Sequence, residues 1–412
     1  MTLFTPTKFI RMFNATIGGK NALFSLALIL YAFFGSPTPD GIGWAEFAVG
    51  GLLLLTLSPL DLTKSQFSYF CFAIILFIPG LIGLVNGAQP PDIARDVVAL
   101  GFLFLYLFYG GLYQSPPHQS PHINTPRFLM GCIVTIGVIF GMRSLLSFWQ
   151  VDHHLISPEA ISDPTSPPDH LYLANSPEVL CSALFLLGIG IERFFIQKRY
   201  AVGLLCLSLS LIPMLSMALM MQRASMAAII LTLFLIVWRI LHTYPARCVW
   251  MIGTASLLCW IFWDDLRNFA QLLWWKTHLV GLNSRVEEWR AVLSLVGESW
   301  ASALFGHGWG TRLENPAVGG VNVLYTHSLT SALLLKTGFV GAVLTLLPLL
   351  KILRDGWAAL YRNQIYFLSL FLPFLISATI YASYKSLGFG LILLVFFSFA
   401  NQKLVQSSPS VA

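Results

Sequence analysis

Residues 202–237 read VGLLCLSLSLIPMLSMALMMQRASMAAIILTLFLIV, and the only charge in this stretch is Arg223, beside Gln222. A helix that crosses a bilayer needs about 20 mainly apolar residues. The stretch therefore reads as two spans, 200–220 and 224–241, with Gln222 and Arg223 at the turn between them. Backbone N–H and C=O groups find no partner in lipid, so spans of this kind are helices. The alternating apolar pattern of a membrane β-barrel is absent.

The same signature recurs outward in both directions. Further apolar runs lie at 17–35, 43–60, 66–86, 93–112, 127–149, 173–192, 248–264, 328–350, 365–383 and 386–402, which gives about twelve spans. Hydrophobic residues make up 56% of the 412 and charged residues 10%. A typical soluble domain carries roughly 25% charge, so a water-soluble fold is excluded. The expected fold class is an all-α integral membrane protein, a single polytopic domain over 1–412. Its expected surroundings are membrane lipids, not nucleic acid. The polar, basic start from Met1 to Lys20 has no small-residue cleavage site, so the first run is read as a retained span. The six cysteines, Cys71, Cys132, Cys181, Cys206, Cys248 and Cys259, fall in or beside apolar runs without CxxC spacing and read as small core residues.

Lysine and arginine set the orientation. With the N-terminus in the cytoplasm, fourteen of the 24 basic residues fall on inner loops and tails, as the positive-inside rule requires. Both termini are then cytoplasmic. The other ten lie on the outer side or at outer span ends, and five of them share one long outer loop, 265–326. A second outer loop, Gln150 to His170, has no basic residue.

The long loop has internal order. Ser284-Arg285-Val286-Glu287 fits a capping box, with Ser284 at the N-cap. Val286, Trp289, Leu293, Val296 and Trp300 then recur at helical spacing with charges between them, which predicts an amphipathic helix on the membrane surface or across the bundle. Gly306–Gly310 follows as a glycine-rich turn.

Four residues stand out for chemistry. Arg285 opens a helix, where free N–H groups and a guanidinium fork suit phosphate; the plainer reading is a solvated arginine on a capped helix. Arg223 lies at membrane depth, where a charge usually meets a partner or a cavity; the plainer reading is snorkelling to the headgroups. Arg143, one turn before Trp149, invites the same argument. Lys336 and Lys385 resemble it, but lysines snorkel easily. His327 opens the tenth span, with Thr326 as expected N-cap. His327, Ser331, Leu334, Gly338 and Gly341 share a helical face that lets a neighbouring helix approach. Alone, such a histidine reads as an interfacial residue.

His327-Ser328, nine residues, then Gly338-Phe339-Val340-Gly341 resembles the signature of the O-antigen ligase family of lipopolysaccharide assembly. The loop before it also resembles the shared ligase and polymerase domain, with Arg285 at a helix start and glycines at 306–310. Arg223 occupies the position of that family's outer-facing arginine. The specific match runs from about Gln222 to Gly341; elsewhere only topology and length agree. The resemblance implies a helical scaffold of the GT-C-like kind in a bacterial inner membrane, with its active site on the periplasmic face. It implies inverting transfer of O-antigen from undecaprenyl pyrophosphate to a sugar hydroxyl of lipid A–core oligosaccharide. His327 would be catalytic, as a base on the acceptor or as a ligand of the leaving pyrophosphate. Arg223, Arg285 and Arg143 would hold the donor pyrophosphate.

Pyrophosphate is a good leaving group, so arginines are expected to suffice in place of a metal or cofactor. Asp264-Asp265 lacks D-x-D spacing and reads as a span end, and no P-loop is present. An O-antigen polymerase and a protein O-oligosaccharyltransferase share the signature. A lipid-linked glycan flippase is the non-enzymatic reading; it would line a path through the membrane with charge, whereas here the charges gather at outer span ends.

Overall fold

The computed structural model describes residues 19–41, 43–55, 66–109, 125–151, 169–280, 284–361 and 363–407. Almost everything in them is helical. The order begins α1 (Gly19–Phe34), α2 (Trp44–Leu55), α3 (Gln66–Val85), α4 (Pro90–Leu103), α5 (Leu105–Tyr109) and α6 (Thr125–Val151). It continues with α7 (Asp169–Ala174), α8 (Pro177–Ile191), a π-turn over Glu192–Ile196, α9 (Tyr200–Leu219), α10 (Arg223–Thr243) and α11 (Pro245–Ile261). Then come α12 (Trp263–Val280), α13 (Arg285–Val296), α14 (Trp300–Phe305), the hairpin β1 (Leu313–Asn315) and β2 (Val321–Val323), α15 (Leu329–Leu360), α16 (Gln364–Thr379) and α17 (Leu387–Ser407).

The protein is a helical membrane protein. Among the described residues, six helices are long and apolar enough to cross a bilayer. They are Phe67–Val85, Pro126–Gln150, Pro177–Ile196, Tyr200–Leu219, Arg223–Thr243 and Leu329–Leu360. The pair α11–α12, bent by 80° at its break, makes a seventh if counted as one span. Four more apolar helices are shorter than a full crossing: Ala22–Phe34, Trp44–Leu55, Gln364–Thr379 and Leu387–Ala400. So length and composition support six or seven spans rather than twelve.

The break expected inside residues 202–237 is present: α9 ends at Leu219, Met221 takes a left-handed φ of 48°, and α10 starts at Arg223. The run at 93–112 is different in kind. It divides at Phe104 into α4 and α5, and α4 buries Asp92, Arg95 and Asp96. The expected loop start at Asp265 falls inside α12, which follows α11 after the break at Phe262. The loop Gln150–His170 lies largely outside the described residues.

Two helices form the middle of the bundle. In α17 every residue from Gly388 to Phe396 is buried, and α8 is buried almost all round. A helix that is hydrophobic on all sides belongs inside. α3, α9 and α10 instead expose large apolar side chains such as Phe77, Leu211 and Phe234, the surface that lipid covers.

The glycine-rich turn is locked onto this bundle through a proline. Pro79 in α3 has no N–H to give the carbonyl of Ile75 four residues back. The Trp309 indole N–H donates to that carbonyl at 2.8 Å, and the Trp309 backbone N–H donates to Pro79 O at 2.9 Å. Gly83 leaves room for the approach, since a Cβ there would lie 2.1 Å from Trp309 O. On its other side the turn meets α15, where His307 N and Gly308 N donate to Leu335 O and Lys336 O. Gly306 (φ 73°) and Gly338 (φ 61°) pass each other at backbone contact, and Gly338 kinks α15. Gly338 therefore admits the end of α14 and the start of the glycine turn that follows it.

A buried ion cluster ties the same elements together. Asp96 is ion-paired with both Lys336 and Lys385, and it accepts the Gly310 N–H at 2.9 Å. Both ammonium groups also donate to Leu324 O, each at 2.8 Å. These lysines do not snorkel: a buried carboxylate pairs with them deep in the protein.

Candidate functional site

The first turn of α13 departs from the expected capping box. Ser284 is left-handed (φ 48°), and its side chain makes no cap bond. Asn283 lies outside the described residues. Glu287 is exposed, and the acidic residue turned inward is Glu288, at 2% exposure. Glu288, Val292 and Val296 form the buried stripe, at i, i+4 and i+8. The apolar face expected from the sequence is rotated outward instead: Val286, Leu293 and Trp300 are 48%, 55% and 87% exposed. Only Val296 belongs to both faces.

The hairpin brings a second element to Glu288. β1 and β2 pair antiparallel, Leu313 opposite Val323, and Asn315 ends β1. Asn315 Nδ2 donates to Glu288 Oε1 at 2.9 Å and to Tyr325 O at 3.2 Å. β2 then leads into Leu324, whose N–H is held by Asp40, and on to His327.

His327 precedes α15 rather than standing on its face. Ser328 is the N-cap, its oxygen accepting from Ser331 N, so the expected cap at Thr326 moves by two residues. Thr326 still takes part, accepting a hydrogen bond from the Ser331 hydroxyl at 2.8 Å. The His327 backbone N–H donates to Glu288 Oε1 at 2.8 Å. The ring Nδ1 lies 3.3 Å from each Glu288 oxygen. Nε2 makes none of these contacts, and Tyr325 packs edge-on against the ring.

Arg285 completes the group. Its Nη1 lies 3.5 Å from Glu288 Oε2, yet it is buried and makes no hydrogen bond of acceptable geometry. Tyr381, just after α16, feels the charge of both Arg223 and Arg285. The structure thus brings His327, Arg285 and Asn315 to Glu288, while Arg223 and Arg285 both act electrostatically on Tyr381. Arg223 is the first residue of α10, as Arg285 is of α13.

Arg143 is placed elsewhere in the network. Its Nη1 donates to Ala32 O at 3.1 Å and Gly35 O at 2.8 Å, closing the last turn of α1, while its guanidinium lies 5.5 Å from the Phe140 ring centre. Asp264 and Asp265 sit exposed in the first turn of α12.

The electrostatics follow from burial. Burial pushes the His327 ring below its ordinary value; Arg285 adds to this, and Glu288 works against it. Burial alone would raise the Glu288 carboxyl, but bonds from His327 and Asn315 outweigh it and hold the group below the usual carboxylate range. Arg285 is lowered by burial and partly restored by Glu288. The arrangement is a neutral, oriented imidazole beside one cationic helix start, at Arg285. It suits proton abstraction next to a bound anion.

The sequence reading missed Glu288, Asn315 and Tyr381. The phase of Val292 and Val296 was the available signal for Glu288: counting back in steps of four from a buried valine reaches Glu288 and not Glu287. Nothing local marks Asn315 or Tyr381. Comparison with models of known families, with characterised proteins and with solved structures gives no match to this chain.

Proposed function

We propose that the protein is a membrane glycosyltransferase of the O-antigen ligase kind, joining glycan from undecaprenyl pyrophosphate to a sugar hydroxyl of lipid A–core. The observation that carries this reading is Arg285, with its buried and unbonded Nη1, beside the Glu288-held His327, with Tyr381 under the charge of both Arg285 and Arg223. Two helix N-termini, each opening on arginine, suit a pyrophosphate. In the full proposal the chain crosses a bacterial inner membrane about twelve times, with shorter helices among the crossings. The termini lie in the cytoplasm, and the 265–326 segment faces the periplasm.

The chemistry is an inverting displacement. His327 Nε2 takes the proton from the acceptor hydroxyl while Nδ1 faces Glu288. The acceptor oxygen bonds to the anomeric carbon, the bond from that carbon to pyrophosphate breaks, and undecaprenyl pyrophosphate departs with its charge held by the arginines. Preorganised charge of this kind, aimed at a leaving group, is a large contributor to catalysis. No metal or cofactor has a part in this scheme.

The test is purified protein with lipid-linked glycan donor, offered lipid A–core, a second donor molecule or a peptide in separate reactions. Transfer to lipid A–core is expected, abolished in His327→Ala. Arg223→Ala and Arg285→Ala should each weaken donor use by about 2–5 kcal/mol, with lysine restoring only part because the fork is lost. Transfer only to the second donor would make the protein a polymerase. Near-normal transfer by His327→Ala would remove His327 from the reaction.

A further inference from the structure

A polar groove opens on the far side of the glycine turn from Lys336, between the α3–α4 connection and α14. Its volume is roughly 1050 Å³, at the upper end of the range for small-ligand clefts. Its walls are fixed by bonds between distant segments. Asn86 Nδ2 donates to His307 O at 3.0 Å, and the His307 ring bonds to Leu295 O at 3.0 Å. Thr311 Oγ1 donates back to His307 O at 2.9 Å. Arg312 lays its fork on Asp92 at the rim, Nε and Nη2 at 2.7 and 2.8 Å. So this is a built concavity, not a loose surface dip.

The lining selects its ligand by charge and geometry. It holds Arg312 against Asp92 and Glu298, one cation and two carboxylates, a net formal charge of −1. The single cation is already committed to Asp92 and lies 3.5 Å from Asp40. An anion therefore finds no uncommitted positive partner here among the described residues. Gln89 and Glu298 line the groove with no hydrogen-bond partner for their side chains among the described residues. A planar amide and a planar carboxylate, each with two polar atoms, match the paired hydroxyls of a sugar. Phe305, about 40% exposed, supplies an apolar wall. These features fit an uncharged, hydroxyl-rich chain.

α13 links this groove to the candidate centre. Glu288 near its start holds His327, and Glu298, just past its end, lines the groove. Ten residues at helical rise separate the two by about 15 Å, a length that a short run of sugars spans. We propose that this groove is a subsite for an uncharged oligosaccharide, engaging glycan a few sugar units from the bond being made. The assignment of that bond rests on the glycosyltransferase reading above. The glycan belongs either to the acceptor or to the donor, since both present the same hydroxyl chemistry.

The experiment measures binding apart from transfer. Full-length protein in lipid nanodiscs is titrated calorimetrically with a lipid-free, neutral oligosaccharide from the outer part of the core and, separately, with a phosphate-free oligosaccharide of the donor's repeat. Binding of either supports the subsite, and which one binds identifies its source. The double variant Gln89→Ala/Glu298→Ala should lose affinity by at least about tenfold, the worth of one or two hydrogen bonds, with an unchanged melting temperature. Glu298→Gln, which keeps the shape, should show a smaller loss in the same direction. Binding of neither sugar, equal binding by the double variant, or capture of a lysine-rich peptide instead would overturn the proposal. If sugar binds as expected but no acceptor receives glycan, the groove stands and the transfer reading falls. If the double variant transfers at the wild-type rate, the groove falls and the transfer reading stands.

Discussion

His327 has two neighbours that pull its proton affinity in opposite directions. Burial keeps the ring neutral, Arg285 reinforces this, and the Glu288 carboxylate opposes it. A base must be unprotonated, so transfer should fall as pH drops through the lowered value of His327, an acid limb below the ordinary histidine range. Glu288→Gln removes the influence that raises the ring, so its limb should move to still lower pH; Arg285→Lys, which keeps the charge, should leave the limb near its place. The measurement is the pH profile of transfer with donor saturating. A limb that moves upward in Glu288→Gln would assign Glu288 a different part, and activity that instead falls as pH rises would make His327 a cationic phosphate ligand. The positions of His327, ahead of a long helix, and Arg285, first in its own, were legible in the sequence. Glu288 was not, because two adjacent glutamates differ only in rotational phase, and phase is set by what the helix packs against.

At the scale of elements, the kink in α3 and the glycine turn form one device. Pro79 frees the Ile75 carbonyl, and Trp309 fills the vacancy from 234 residues away. Trp309→Phe keeps the ring's bulk but leaves that carbonyl buried without a partner. It should destabilise the protein by about 1–3 kcal/mol, read as a lower melting temperature in detergent. An unchanged melting temperature would mean that water or a neighbouring group replaces the indole. The sequence marked 306–310 as a turn from its glycines, and all three, Gly306, Gly308 and Gly310, do have positive φ. It could not show that the turn docks on a proline kink, since nothing near Trp309 in sequence points to Pro79. The reading of α13 had a similar limit. The apolar residues were placed on one helix, but α13 ends at Val296 and Trp300 opens α14; the inward face of α13 carries Glu288 and its open face carries Val286 and Leu293. An open apolar face on a membrane protein suits a bilayer surface.

For the whole molecule, the orientation proposed from basic residues makes the sharpest claim. Single cysteines placed at Glu287 and Glu314, both exposed, in a cysteine-free variant should react with a membrane-impermeant thiol reagent in intact spheroplasts. A cysteine at Asp355, at the far end of α15, should not. Labelling at Asp355 with silence at Glu287 and Glu314 would invert the topology and move the candidate centre to the cytoplasm. The count of spans is a second matter of scale. α8 is long and apolar enough to cross a bilayer although protein surrounds it, whereas α17, buried in the same way, is apolar over a shorter stretch, Leu387–Ala400.

That the chain is helical and belongs in a membrane was determined by the sequence alone, because hydrophobicity adds up residue by residue and needs no knowledge of neighbours. The break at Gln222–Arg223 was determined in the same way, as the one polar interruption of a long apolar run. Charge pairing was left to the tertiary structure. Lys336 and Lys385 looked like snorkelling side chains until the fold set Asp96 between them, 240 and 289 residues distant in the chain. Glu288 became the partner of His327 in the same manner, across 39 residues. A buried charge is tolerable only beside its partner; which partner it meets depends on how the helices turn and cross, and that is decided by packing across the whole bundle.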